Sequence, residues 1–287
     1  MFRKSIMILL FIPFLIMACA TTQTPLKKKL LTNSTPQFNG YITKIYKPIQ
    51  PMYKPVESNF KLSISMVDLE IPKNSSTKKS TEYLEIAGNC KIEKLGDLLT
   101  WEYKLIEVTA DGKTTTFKDL PVIGRILADK FGKIQETESM HPNFRDPNIS
   151  PKKKDASIKW IHKASYYPLP TNPIRSGDPI VKIEYNVSEI DTELWKDFRI
   201  YNDGELIIDG WGFFNEKKVM VASINEIIDG TGDEVDVQFK INGYRLYDAE
   251  TFQIVDGNLS VVILPNPSSN IKGSGKILIH QSAKLKK

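Results

Sequence analysis

A chain of 287 residues, 41% hydrophobic and 25% charged, has enough apolar side chains for one large domain or two small ones and is not the composition of a disordered polymer. Its 39 basic residues against 34 acidic leave a net charge of only +5, which makes no case for nucleic acid as a partner. The two cysteines, Cys19 and Cys90, stand in very different contexts.

Arg3 and Lys4 form a short positive region, Ile6 to Met17 is apolar apart from Pro13, and the small residue Ala18 precedes Cys19. A positive start, a short apolar stretch and a small residue at the cut are the parts of a secretory signal. The apolar run is shorter than the roughly 20 residues that span a bilayer. Without Arg3 and Lys4 the basic count falls from 39 to 37 against 34 acidic residues.

Ile16-Met17-Ala18-Cys19 resembles the lipobox of bacterial lipoproteins, with an aliphatic residue three before a cysteine and a small residue just before it. The resemblance implies cleavage before Cys19, a diacylglyceryl thioether on its sulfur, and anchoring to a membrane through acyl chains at about 0.8 kcal/mol per buried CH2. Ala20 is not Asp, so the family's sorting rule favours the outer membrane if the host is Gram-negative. Lipidation of Cys19 leaves Cys90 without a partner for an intramolecular disulfide. Cys90 reads as a small buried hydrophobe.

From Ala20 to about residue 40 the chain is rich in Thr, Gln, Pro, Asn and Ser, with a lysine run at Lys27-Lys28-Lys29. Such a segment reads as a tether, its lysines either solvated or held against anionic head groups. The body reads mainly as strand. Apolar residues alternate with polar ones at Phe60, Leu62, Ile64 and Met66, again at Trp101, Tyr103 and Leu105, and again at Val181, Ile183, Tyr185 and Val187. Val235, Val237, Phe239 and Ile241 repeat the pattern, followed by Leu259, Val261 and Ile263. Period-two alternation marks antiparallel sheet with one face buried. Asp111-Gly112, Asp203-Gly204, Asp229-Gly230 and Asp256-Gly257 read as hairpin turns between the runs. Short helices are expected over 157–167 and 191–200.

The two halves look alike. The first strand recurs at an offset of 121, Leu84 to Gly88 recurs as Leu206 to Gly210 at 122, and Gly124 to Asp129 recurs as Gly243 to Asp248 at 119. A duplication predicts Gly88 over Gly210 and Gly124 over Gly243. The expected architecture is mainly β, a curved antiparallel sheet or a sandwich built from two related halves with one or two short helices. Its parts are a signal peptide over 1–18, a lipidated N-terminus and tether over 19–40, a first β unit over 41–140, a connection over 141–172 and a second β unit over 173–287.

Chemistry is sparse in the sequence. His141, His162 and His280 are isolated, and no His or Cys pair has metal-ligand spacing. No Gly-x-Ser-x-Gly elbow occurs. Gly273-Ser274-Gly275-Lys276 lacks the earlier glycine and the hydroxyl of a phosphate loop, and reads as the entry to a strand over 276–279. The acidic stretch from Asp229 to Asp236 reads as a hairpin tip rather than a calcium loop. Asp129 and Asp248 read as turn formers. Trp211, Phe213 and Phe214 form the densest aromatic patch, with Trp211 and Phe213 expected to face the interior and Phe214 to be partly exposed. No cofactor or metal is predicted.

Leu169-Pro170, Pro173-Ile174 and Gly177-Asp178 before a strand resemble a stretch found in uncharacterised bacterial envelope proteins of β-rich type, which implies a curved antiparallel sheet akin to lipoprotein carriers and no reaction. The sequence therefore favours a non-enzymatic envelope lipoprotein that binds an apolar ligand or a protein partner in the concavity of its sheet. A structural or assembly accessory of the envelope is the alternative. A hydrolase whose site is assembled from distant residues is the third.

Overall fold

The computed structural model describes residues 37–69, 80–110, 112–117, 122–139, 159, 162, 166–183, 199–200, 204–231, 236–265 and 275–286. The described strands are β1 (Val56–Leu69), β2 (Ser80–Leu95), β3 (Leu98–Ala110), β4 (Lys113–Thr116), β5 (Val122–Ala128), β6 (Ile134–Ser139), β7 (Pro179–Ile183), β8 (Arg199–Ile200), β9 (Gly204–Phe214), β10 (Lys217–Thr231), β11 (Asp236–Asp248), β12 (Ile254–Pro265) and β13 (Gly275–Leu285). All of them join one sheet, whose path runs β6-β5-β3-β2-β1-β13-β12-β11-β10-β9-β7, with β4 beside β3 and β8 beside β10. Every pairing is antiparallel, and β13 closes the gap between the two halves by pairing both β1 and β12. Of the two expected arrangements, the continuous curved sheet is the one found.

The alternation that predicts the strands also sets the core. Along β3, Leu99, Trp101, Tyr103 and Leu105 are buried and the residues between them are half-buried. Register carries this face across the sheet. Cys90 pairs Tyr103, Phe60 pairs Gly88, Ile64 pairs Ile279, Leu259 pairs Gly243 and Ile241 pairs Val261. The large core cluster lies on this face and runs from Ile126 in β5 to Ile208 in β9. Tyr53, in the segment before β1, sets its ring edge-on to Trp101 of β3 with centroids 5.9 Å apart, and it also lies in the field of Tyr247 and Arg245 of β11. In a flat sheet β3 and β11 would stand about 24 Å apart, five strand spacings. The sheet therefore curls around its inner face.

A second, smaller cluster lies on the opposite face. Val219, Val221, Leu246 and Val255 are buried there under Phe38, Ile42 and Phe214. The N-terminal segment reaches this position by pairing Thr43 with Trp211 at the edge of β9. Phe38, at the end of the stretch read as a tether, leans its ring on Tyr244 at 6.0 Å.

Two of the four expected turns lie inside strands. Asp229 and Gly230 pair Gln238 and Val237 within the β10–β11 ladder, and Asp256 and Gly257 pair Leu246 and Arg245 within β11–β12. An Asp-Gly pair signals a hairpin only where both residues are free to take positive φ; here each is held in a ladder. Gly112 does sit where β3 turns into β4, with Ala110 opposite Lys113, while Asp111 and Asp203 lie outside the described residues. Lys159 and His162 are helical, as expected, and the Tyr166 amide donates to the His162 carbonyl where the helix ends; Tyr167 is in neither helix nor strand. The last two residues of the other expected helix, Arg199 and Ile200, form β8; the rest of it lies outside the described residues.

The two halves carry matching ladders. Gly124 pairs Tyr103, and Gly243 pairs Ile224, offsets of 119 and 121. The register shifts at Leu127/Ala128 and again at Leu246/Tyr247. Each shift leads into a turn opened by an aspartate. The Asp129 Oδ1 accepts from the Phe131 and Lys133 amides, and the Asp248 Oδ1 from the Glu250 and Thr251 amides. Gly88 and Gly210 occupy the corresponding strands β2 and β9 but not the same rung, so that superposition fails. Gly88 faces Phe60 across β1, and an added Cβ would sit 2.6 Å from the Phe60 ring. Gly210 faces Val221, and a Cβ there would collide with the Thr43 carbonyl of the N-terminal segment. Different neighbours require the two glycines.

Candidate functional site

The inner face is polar and aromatic at one end. Residues 51–53 and 166–170, in neither helix nor strand, are tied to the β5–β6 turn by the Tyr53 amide on the Lys130 carbonyl and the Leu169 amide on the Phe131 carbonyl. The Tyr53 hydroxyl donates to the Tyr167 carbonyl at 2.8 Å. Under these segments Cys90, Trp101, Tyr103, His162 and Tyr166 are buried together. The His162 and Tyr166 rings stack at 5.5 Å, and Trp101 meets His162 edge-on at 5.2 Å. Burial pushes the hydroxyls of Tyr53, Tyr103 and Tyr166 well above their ordinary value. Tyr103 thus keeps its proton, and its hydroxyl is hydrogen-bonded with His162 Nδ1 at 2.6 Å. Burial also raises the Cys90 thiol to about 12, so it is no nucleophile at neutral pH.

Next to this cluster stands Arg245, on the inner face of β11 and only 5% exposed. Its neighbours across both flanking strands are small, Ala222 of β10 and Gly257 of β12. A Cβ on Gly257 would lie 3.1 Å from the Arg245 Cγ, so the glycine makes room for the side-chain stem. The guanidinium lies over the Tyr167 ring, 4.5 Å from its centre. Among the described residues no carboxylate comes within ion-pair reach of it. A guanidinium holds its charge in any protein environment, so a cation is buried here against aromatic rings. Burial pushes the neighbouring Tyr247 hydroxyl up to about 12 against the opposing pull of the Arg245 guanidinium beside it. The guanidinium can only donate, and the protonated Tyr247 hydroxyl beside it still has a proton to give.

Beyond Gly243 the inner face turns aliphatic. Ile241 pairs Val261, which pairs Ile277, and Leu259 pairs Ile279, which pairs Ile64. Ile263, Ile277 and Ile279 are only half-buried.

The residues singled out by sequence fall elsewhere. Cys19, Lys27 to Lys29, His141, Tyr185, Val187, Gly273 and Ser274 lie outside the described residues. Cys90 is fully buried, as expected. His280 lies on the outer face, its Nε2 3.2 Å from Asp256, which also accepts the Tyr244 hydroxyl. Lys276 follows Gly275 into β13, as expected of a strand entry. Asp229 accepts from the Gln238 side chain in the ladder, and the tip at 232–235 lies outside the described residues.

The aromatic patch corrects an expectation. Trp211 is half-buried under Lys218, but Phe213 is 70% exposed, while Phe214 packs on the outer cluster. Phe213 shares the inner phase with Trp211 but sits just before the hairpin at Asn215–Glu216, past the covered part of that face. The outer face, assumed to be wet, is covered at this point by the N-terminal segment.

Arg245 and Tyr247 went unread in the sequence. The signal was present: the odd-numbered phase of Val237, Phe239 and Ile241 continues through Gly243 into Arg245 and Tyr247.

No family model matches the chain, and no curated protein matches it. A solved structure of lipovitellin, described for its lipid–protein interactions, aligns with 82% of this chain at 9% identity and a TM-score of 0.30. The chain spans about a quarter of the length of that protein, 25%. A TM-score so low carries no argument about function.

Proposed function

We propose that this chain is a membrane-anchored lipoprotein of the bacterial cell envelope, held by lipid on Cys19, that binds an apolar ligand on the inner face of its curved sheet without transforming it. The observation that carries the ligand reading is the aliphatic half of that face, where Ile263, Ile277 and Ile279 remain half-buried beside a fully packed core. Apolar side chains on a concave surface are the ordinary lining of a small-molecule site. The anchor rests on the lipobox resemblance of Ile16 to Cys19.

Two experiments test this reading. Cys19→Ser removes the acylated sulfur and should release the chain from membranes or leave it unprocessed. A variant cleaved at the same place and still sedimenting with membranes would remove the anchor. For the ligand, the full chain is purified and extracted, and the extract is analysed by mass spectrometry. Stoichiometric lipid is expected, and Ile277→Asp should abolish its retention. Absence of any apolar molecule, with the protein folded, would favour a structural or assembly accessory instead.

A further inference from the structure

We propose that Arg245, with the Tyr247 hydroxyl, is an internal anion-binding site that receives the charged head of an amphiphile whose tail lies on the aliphatic half of the inner face. This deepens the ligand reading above and rests on it for the tail, but the head site stands on its own observations. The first is a buried cation with no carboxylate within reach among the described residues. The Tyr167 ring and the Tyr247 hydroxyl soften the burial but supply no counter-charge, and a buried charge without one is costly, so a fold that keeps it has a use for it. The second is the Tyr247 hydroxyl, fully buried on the same face two residues along β11 beside the guanidinium, whose proton no group among the described residues accepts. The third comes from the other half of the sheet. The rung Trp101–Ile126–Thr137 corresponds at offsets of 119 to 121 to the rung Ala222–Arg245–Gly257. Ile126 is fully buried where Arg245 has its counterpart, so the architecture at this rung is built with an aliphatic residue and has no need of a guanidinium.

The geometry also sets the class of ligand. Successive inner-face residues of β11 are Phe239, Ile241, Gly243, Arg245 and Tyr247, so the aliphatic end of the face and the cation share one strand. Inner-face residues are about 6.6–6.8 Å apart along a strand, which puts Arg245 some 13 Å from Ile241. An acyl chain lying on the half-buried side chains of Ile263, Ile277 and Ile279 would point a carboxylate or phosphate head toward Arg245. A planar guanidinium binds either oxyanion through two parallel hydrogen bonds.

The test uses the full chain stripped of bound lipid, and titrates it by calorimetry with dodecanoate, with dodecanol as the same tail without charge, and with inorganic phosphate. Dodecanoate should bind about tenfold or more tighter than dodecanol, the scale of a charge-assisted hydrogen-bond pair. Arg245→Met should abolish that preference and leave dodecanol binding intact, and Arg245→Lys should restore part of it. Without ligand, Arg245→Met should melt at the same temperature as the natural chain or higher, since it removes a buried unpaired charge. A lower melting temperature would make Arg245 a structural residue and overturn the inference. Equal binding of acid and alcohol, unchanged in Arg245→Met, would overturn the head site while leaving the apolar ligand in place. Phosphate binding that depends on Arg245, with neither dodecyl compound bound, would overturn the amphiphile and the apolar ligand reading together and leave a site for free anions. Binding of none of the three would overturn both.

Discussion

The two halves of the sheet answer the same structural problem with different chemistry. At one rung the first half sets Trp101 beside Ile126, both fully buried, and the second sets Ala222 beside Arg245. A large aromatic with an aliphatic partner becomes a small residue with a long cation, and Gly257 opens the strand beyond so that the stem can lie flat. Packing is kept, because an arginine stem covers apolar surface as an isoleucine does. Neutrality is not. The difference teaches that the ladder, its register shifts and its aspartate turns are requirements of the fold, whereas the charge at 245 is not.

The sharpest break in that comparison is Trp101→Ala. The indole is fully buried against Tyr53, His162 and Tyr166, and its removal leaves a cavity no neighbour can fill. A loss of about 3–5 kcal/mol is expected in denaturant unfolding, typical of a buried aromatic truncated to Ala. Ala222→Val, at the matching position, adds volume beside a flexible arginine and should cost less, about 1–2 kcal/mol.

The two aspartate turns should rank in order of their bonds. Asp248 is 8% exposed, and its Oδ1 accepts from two amides and the Thr251 hydroxyl, whereas Asp129 accepts from two amides and is more exposed. Asp248→Ala should lower stability by about 2–3 kcal/mol and Asp129→Ala by about 1, measured by chemical denaturation. Equal costs would mean that the second half's turn gains nothing from its burial.

The aromatic pair gives a smaller contrast. Phe214→Ala removes a ring from the outer cluster and should cost about 1–2 kcal/mol, while Phe213→Ala, at a mostly exposed site, should stay within about 0.5 kcal/mol. Thermal melts of the two variants decide whether the outer face near β9 is a packed surface.

The smallest effect is electrostatic and belongs to the first half. Burial pushes the Glu102 carboxyl up, but Arg125 at 2.9 Å and Lys104 outweigh it and hold the carboxyl below the usual range. A carboxyl lowered in the folded state contributes stability above its unfolded pKa, and that contribution disappears as pH falls through the folded value. Half-exposed partners screen the pair, so Glu102→Gln should cost only about 0.5 kcal/mol at neutral pH. The cost should vanish in acid; a difference that persisted there would assign it to packing.

Alternation along β1, β3, β11 and β12 is enough to read strands and their buried phase from sequence, because a strand half in contact with a core must repeat every two residues. The matching offsets of Gly124 and Gly243, and of Asp129 and Asp248, were legible for the same local reason: a turn needs its hydrogen-bond acceptor at a fixed place. Which Asp-Gly pairs turn and which lie in a ladder was not legible, since Gly257 serves the space needs of Arg245 on the neighbouring strand. Phe213 is exposed because it lies past the covered part of the inner face, and Phe214 packs on the outer cluster because the N-terminal segment covers that face at β9, a contact between residues far apart in the chain. Arg245 could be placed on the inner face by phase alone. That it is a buried cation beside Tyr167 and Tyr247 follows only from the curl of the sheet and from the segments packed against it, which bring together groups that sequence spacing keeps apart.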